Sequence, residues 1–101
     1  MKESAIEQYL VKRVRALGGE IRKVKWIGRT GAPDRLILWP LSASMAHAPR
    51  LYCHRGVVWV ELKSCRGILS PAQIREHARL RACGQRVVVL PSKLGVDQFL
   101  D

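Results

Sequence analysis

One short strand decides how this chain folds: VVWVELK, residues 57–63. Successive side chains of a strand point to opposite faces, so the apolar positions 58, 60 and 62 share one face. Glu61 and Lys63 share the other face with Trp59. Charges inside an otherwise apolar strand are costly to bury, because each one must be desolvated. The strand therefore predicts either an ion pair or a functional site.

A second strand, predicted over residues 34–39, begins with Asp34 directly after Gly31-Ala32-Pro33. Glycine permits a tight turn and proline fixes φ, so the loop can hold the carboxylate at the start of the strand. If the two strands are neighbours, Asp34 and Glu61 converge. Close carboxylates repel each other, and a hard divalent cation relieves that repulsion. We expect Mg²⁺ here, bound by both acids and by a main-chain carbonyl such as that of Leu62.

Lys63 is expected beside this cation. Its ammonium group could orient a water molecule, stabilise negative charge on a phosphate, or lose a proton and act as a base. A metal, a water and a cation are the components that phosphodiester hydrolysis requires.

Hydrophobic periodicity predicts the other elements. Helices are expected at about residues 3–17, from Ser70 to about Cys83, and over 94–100; further strands are expected at 21–27 and 86–90. Ser4 and Ser70 are candidate N-caps, each followed three residues later by Glu or Gln as in a capping box. The order αβββαβα predicts one α/β or α+β domain over residues 1–101 with a mixed central sheet. Residues 40–56 read as an irregular excursion.

The chain is strongly basic. Among 101 residues, 18 Lys and Arg against 8 Asp and Glu give a net charge of +10 and a pI near 10.4. This surplus predicts a polyanionic partner such as nucleic acid, with plain solubility as the alternative. No apolar run approaches the ~18–20 residues of a membrane span, so a membrane partner is not expected. Three cysteines without close spacing disfavour disulfides and structural zinc and favour a reducing, intracellular (cytoplasmic) location.

Four motifs occur in a specific order: Glu7, then GAPD at 31–34, ELK at 61–63 and SPAQ at 70–73. Together they resemble the virus-type replication-repair nuclease (VRR-NUC) family of the PD-(D/E)xK nuclease superfamily. The resemblance runs from Glu7 to about Val89, but residues 40–56 match no family motif. It implies a restriction-endonuclease-like core and a Mg²⁺- or Mn²⁺-dependent nuclease.

The resemblance also implies roles for single residues. Asp34 and Glu61 resemble the metal ligands, Lys63 the catalytic lysine, Gln73 the glutamine near the active site, and Glu7 a first-helix acid that binds the metal through water. The combined catalytic prediction is Asp34, Glu61, Lys63, Gln73 and Glu7. Separately from the resemblance, four cations are predicted to contact DNA: Lys25, Arg29, Arg35 and Arg66. For Lys25 and Arg35, which flank the candidate site, solvated surface charge is the alternative.

Stand-alone family members of this size resemble homodimeric nucleases that act on branched DNA, including four-way (Holliday) junctions. We therefore expect a DNA-cleaving homodimer, of phage or prophage origin. The alternatives are a non-catalytic nucleic-acid-binding module on the same fold, and a basic structural protein without a ligand. An intact set of two acids and a lysine favours the enzyme.

Overall fold

The computed structural model describes residues 2–40, 56–63 and 68–101. Within those ranges the elements follow the predicted order αβββαβα: α1 (Glu3–Ala16), β1 (Glu20–Lys23), β2 (Arg35–Trp39), β3 (Gly56–Leu62), α2 (Pro71–Ala82), β4 (Arg86–Leu90) and α3 (Lys93–Leu100). The predicted mixed α+β class is confirmed.

The four strands form one sheet in the order β1-β2-β3-β4. The β1–β2 and β2–β3 pairs are antiparallel, and β3 and β4 are parallel. The predicted mixed sheet is therefore confirmed. Because β3 has a neighbour on both sides, the strand that carries Glu61 lies inside the sheet, so an ion pair of Glu61 is not one on an exposed edge strand.

One face of the sheet carries the hydrophobic core. Helices α1 and α3 pack on this face, and the side chains buried there come from both helices and from three strands: Ile6, Leu10, Val14, Ile37, Trp39, Val58, Val60, Leu62, Leu90, Val96 and Leu100. Positions 58, 60 and 62 of β3 all contribute, as the alternation predicts. Polar contacts join the two helices at their outer edge: the Tyr9 hydroxyl donates to Asp97 at 2.6 Å, and Arg13 contacts Asp101 at 2.7 Å.

The opposite face is covered by α2. This helix begins with the predicted capping box: the backbone N–H of Gln73 donates to the Ser70 side chain, and the Gln73 side chain accepts from the Ser70 N–H. Two polar side chains of α2, Glu76 and His77, are buried. The two faces therefore differ in chemistry, and the polar one contains the Glu61 side of β3.

Two local predictions are wrong. The strand predicted over 21–27 ends at Lys23, and Ile27 is 92% exposed. The following residues bond instead to the loop before β2, since Val24 N–H donates to the Asp34 carbonyl and Trp26 Nε1–H to the Pro33 carbonyl. The capping box predicted at Ser4 does not form either.

Helix α1 starts two residues earlier than that capping box requires. Its N-cap is Lys2, which has no side-chain capping bond. Ser4 consequently lies within the first turn. Glu7 is therefore not used by a cap and is available for a contact outside the helix.

Several sequence predictions lie outside the described residues. Most of the 40–56 excursion, Cys53, Cys65 and Arg66 are among them. The assignment of residues 1–101 to a single domain stays a prediction. In the described ranges, every helix is too short or too polar to span a bilayer.

Candidate active site

The candidate site lies where β2 begins and β3 ends. In the antiparallel register Arg35 pairs with Val60, so continuing it by one residue places Asp34 opposite Glu61. Opposed residues of neighbouring strands point to the same face of a sheet. The two acids, 27 residues apart in the sequence, are therefore brought together, on the face covered by α2.

The loop before Asp34 is fixed on both sides. Gly31 has φ = +89°, and a Cβ built on it would lie 2.5 Å from the backbone carbon of Ala72 in the first turn of α2. Only glycine allows this approach at that φ. On the other side Trp26 Nε1–H donates to the Pro33 carbonyl at 2.7 Å. The GAPD motif is therefore held between α2 and Trp26, and this contact sets the start of β2.

Glu61 is a buried carboxylate with one direct partner among the residues that the structure describes. Its residue is 8% exposed, and its Oε1 lies 3.1 Å from Nε2 of His77, which is fully buried. Burial raises the pKa of Glu61; the hydrogen bond and charge of His77 and the charge of Lys63 oppose this rise, and the charge of Asp34 adds to it. Ionised Glu61 thus costs free energy in the folded protein, and a nearby cation would reduce that cost.

The hydrogen bond to Glu61 defines the arrangement of the His77 ring. An ionised carboxylate only accepts, so Nε2–H is the donor. No hydrogen-bond partner for Nδ1 is found among the described residues. In a neutral ring, the Nδ1 lone pair therefore has no donor among these residues. In a protonated ring, the Nδ1–H would be buried without an acceptor among them. His77 orients the Glu61 carboxylate from the α2 side.

The end of β3 directs a carbonyl oxygen toward β2. Lys63 N–H donates to the Leu90 carbonyl of β4 at 3.2 Å. In a trans peptide the preceding carbonyl points the opposite way, so the Leu62 carbonyl is directed toward the β2 side, beyond the last residue pair of the β2–β3 ladder. This is the side on which Asp34 lies. The Lys63 side chain is partly buried, and its charge acts on Glu61.

Glu7 reaches this region from the other face of the sheet, through an arginine. Its Oε2 lies 2.5 Å from Nη2 of Arg35, and Nη1 of the same guanidinium lies 2.8 Å from Oδ1 of Asp34. Burial lowers the pKa of Arg35, but the hydrogen bond to Glu7 and the charge of Asp34 outweigh it, so the pKa is raised overall. Arg35 thus links two predicted site acids, a contact that the sequence did not predict.

Most of the predicted DNA-contacting cations line one groove. This groove, of about 480 Å³, has Lys23, Lys25, Arg29 and Arg35 in its wall together with Asp34. Three of the four predicted cations are therefore brought next to a predicted metal ligand; the fourth, Arg66, lies outside the described residues. Gln73 lies in the first turn of α2, where its side-chain oxygen accepts the Ser70 N–H at 2.8 Å.

The donor set fits a small hard cation. No group of three or more His, Cys, Asp and Glu side chains arranged to hold a metal occurs in the ranges 2–40, 56–63 and 68–101. The fit depends on two carboxylates, Asp34 and Glu61, and on the Leu62 carbonyl. Mg²⁺ is commonly held by one or two carboxylates and retains several waters. Glu61 matches that requirement, because burial and the charge of Asp34 both disfavour its ionised form and a bound cation would favour it.

Sequence reasoning undervalued two residues of α2. Neither His77 nor Glu76 is among the site residues predicted from the sequence, yet both are buried and contact groups near the site. One signal was present for His77, since it follows Gln73 by four residues and therefore shares its helix face.

Comparison with known proteins agrees with this architecture. The chain is 38% identical over 93 residues to "Putative nuclease p44" of Acyrthosiphon pisum secondary endosymbiont phage 1, covering 92% of this chain and 86% of that protein. A solved structure described as "VRR_NUC domain" superposes with a TM-score of 0.77 at 33% identity, over 97% of this chain and 92% of the other. No family model matches the sequence. Fold, motif order and these two relatives together establish that the chain belongs to the VRR-NUC family.

Proposed function

We propose that this chain is a Mg²⁺- or Mn²⁺-dependent deoxyribonuclease that hydrolyses phosphodiester bonds. The observation that carries the proposal is the register of β2 and β3, which sets Asp34 opposite the buried Glu61 while Lys63 follows two residues later. Family membership and the nuclease relative support nuclease chemistry in general.

The chain's own groups have distinct roles in this proposal. Asp34, Glu61 and the Leu62 carbonyl would hold the cation, and Glu7, which is linked to Asp34 through Arg35, would bind it through water. A bound divalent cation would polarise the phosphodiester and lower the pKa of a water molecule. Lys63 stabilises the negative charge that develops on the phosphate oxygens or orients the attacking water. Gln73 lies in the first turn of α2, near the loop that carries Asp34.

The lining of the groove supports a DNA substrate. The groove wall that contains Asp34 also contains Lys25, Arg29 and Arg35. A DNA backbone that contacts these cations would therefore pass beside Asp34 and Glu61. Contacts to phosphate position a duplex without reading its sequence. Selection of substrate by DNA shape, as at a four-way junction, is consistent with such contacts.

The finer proposal is a homodimer that cuts branched DNA inside the cell. A domain of this size buries a modest fraction of its surface, so a second subunit would add stability. Two sites related by a two-fold axis would suit the two strands of a symmetric junction. Size-exclusion chromatography with light scattering measures the subunit number; a monomer at working concentration would exclude the dimer.

Cleavage assays test the nuclease proposal directly. The protein is incubated with four-way junction, flap and linear DNA in Mg²⁺, in Mn²⁺ and in EDTA. We expect products only with metal, and most from the junction. Equal cleavage in EDTA would contradict the metal-dependent mechanism, and binding without cleavage under every condition would favour the non-catalytic module.

A further inference from the structure

We propose a second phosphate-binding site, formed by the loop of residues 28–31 and the exposed side of α2, that holds a DNA backbone phosphate next to the candidate active site. This inference rests on the proposed DNA substrate. A cavity of about 140 Å³ lies between the two segments. That volume is several times the ~30 Å³ that one water molecule occupies in the liquid, so a phosphate group fits.

Three arginines line this cavity: Arg29 from the loop, and Arg75 and Arg79 from α2. Among the described residues of its wall Glu76 is the one acid, so these residues carry a surplus of two positive charges. A phosphodiester monoanion is the complementary ligand, because guanidinium groups match phosphate oxygens in geometry and charge. The hydroxyl of Thr30, also in the wall, adds a donor.

Glu76 places two of these arginines. It is 6% exposed, and it contacts Nε of Arg29 at 3.8 Å and Nε of Arg79 at 3.4 Å. Both contacts use Nε, and the terminal Nη atoms of the two arginines bond to no described residue. Their outer edges are therefore left for another acceptor. Arg75 makes no side-chain ion pair or hydrogen bond within the described ranges.

The position of the cavity connects it to the active site. Arg29 lines both this cavity and the groove that contains Asp34. Gly31, two residues on, packs against the first turn of α2, which fixes the loop relative to the helix. A DNA strand that passes Asp34 can therefore continue over Arg29 to Arg75 and Arg79, with successive phosphates neutralised.

The test uses Arg75→Ala and a matched control. Arg75 has no internal ion pair to lose, so the variant should keep the wild-type melting temperature. Arg15 on α1 is the control, because it too is an exposed helical arginine without a side-chain partner in the described part of the chain, and α1 covers the opposite face of the sheet. Binding to duplex DNA is measured by fluorescence anisotropy in EDTA, so that cleavage plays no part.

Loss of one phosphate contact lowers the slope of log Kd against log salt by about 0.9. When salt is raised from about 50 to 200 mM, the fold-loss of DNA affinity should therefore be about 3.5 times smaller for Arg75→Ala than for the wild type. Arg75→Lys should restore the wild-type slope, since it keeps the charge, and Arg15→Ala should leave the slope unchanged.

Two results would overturn this second site: an unchanged slope in Arg75→Ala, or equal changes in Arg75→Ala and Arg15→Ala, which would reflect net charge alone. Both are separate from a failure of the proposed function. That failure would appear as a wild-type protein that does not bind DNA at all, or that binds it and never cleaves it with metal.

Discussion

The two faces of the sheet show how this fold separates stability from chemistry. The face under α1 and α3 is apolar, and its core positions, such as Ile37 and Val58, are fully buried. The face under α2 buries Glu61, Glu76 and His77 instead. Buried charges are weak stabilisers, because desolvation offsets most of their attraction. The first face therefore supplies most of the stability of the domain. The second face buries polar groups that stability does not explain, which points to a functional role.

The largest effect is expected from Lys63→Ala. Removal of a positioned acid–base or charge-stabilising group typically lowers a rate about 10²–10⁴-fold, while a partly buried lysine at a strand end contributes little to packing. Cleavage should fall by that factor, with DNA affinity in EDTA and melting temperature nearly unchanged. Lys12→Ala, on the exposed side of α1, is the control. Cleavage by Lys63→Ala at the wild-type rate would show that the lysine has been assigned wrongly.

Ile37→Ala tests the apolar face. Truncation of a fully buried aliphatic side chain costs about 2–5 kcal/mol of unfolding free energy. Ile27 is 92% exposed, so Ile27→Ala should change stability by no more than about 0.5 kcal/mol. Urea denaturation of both variants measures the difference. Similar losses in the two variants would mean that the face under α1 and α3 is not the principal core.

His77→Leu tests the polar face without touching a proposed ligand. Loss of a group that orients a metal ligand commonly lowers metal affinity about 10–100-fold. We expect Mn²⁺ binding, measured by isothermal titration calorimetry, to weaken within that range. His77→Gln keeps an N–H donor and should retain more of the affinity. Wild-type Mn²⁺ affinity in a folded His77→Leu variant would show that this hydrogen bond does not position Glu61 for metal.

The pH dependence of stability gives a smaller effect. Burial raises the pKa of Glu61 in the folded state, as does the nearby charge of Asp34, against the opposing contributions of His77 and Lys63. The folded protein therefore keeps a proton over a pH range in which the unfolded chain has lost it. Stability falls as pH rises from the ordinary glutamate pKa through the raised value, and it stays lower above it.

Glu61→Gln removes this penalty. In metal-free buffer its melting temperature should exceed that of the wild type at pH 7–8, and the difference should shrink below the ordinary glutamate pKa of about 4.3. Glu20→Gln, on the exposed surface of β1, is the control and should show no such trend. A lower melting temperature of Glu61→Gln at pH 7–8 would indicate that Glu61 acts as a stabilising ion-pair partner of His77.

Much of the fold follows from local pattern. The alternation in β3 predicted which side chains enter the core, and the Ser70 capping box predicted the start of α2, because both depend on residues within a few positions of each other. The Ser4 capping box did not form because α1 begins earlier, after Lys2, so that Ser4 and Glu7 both lie inside the helix.

The site was less predictable, because its contacts are long-range. The GAPD and ELK motifs predicted that Asp34 and Glu61 converge, which the register of β2 and β3 supports. Nothing local indicates that Arg35 joins Glu7 to Asp34, or that His77 bonds Glu61 across 16 residues. Those contacts follow from how helices α1 and α2 dock on opposite faces of the sheet.

The most direct test of the account is anomalous diffraction from crystals soaked in Mn²⁺. We predict one strong anomalous peak within bonding distance of the Asp34 and Glu61 carboxylates and the Leu62 carbonyl oxygen, and its loss in Asp34→Asn. A peak at other residues only, or carboxylates of Asp34 and Glu61 that point to separate surfaces in the soaked crystal, would contradict a shared cation site.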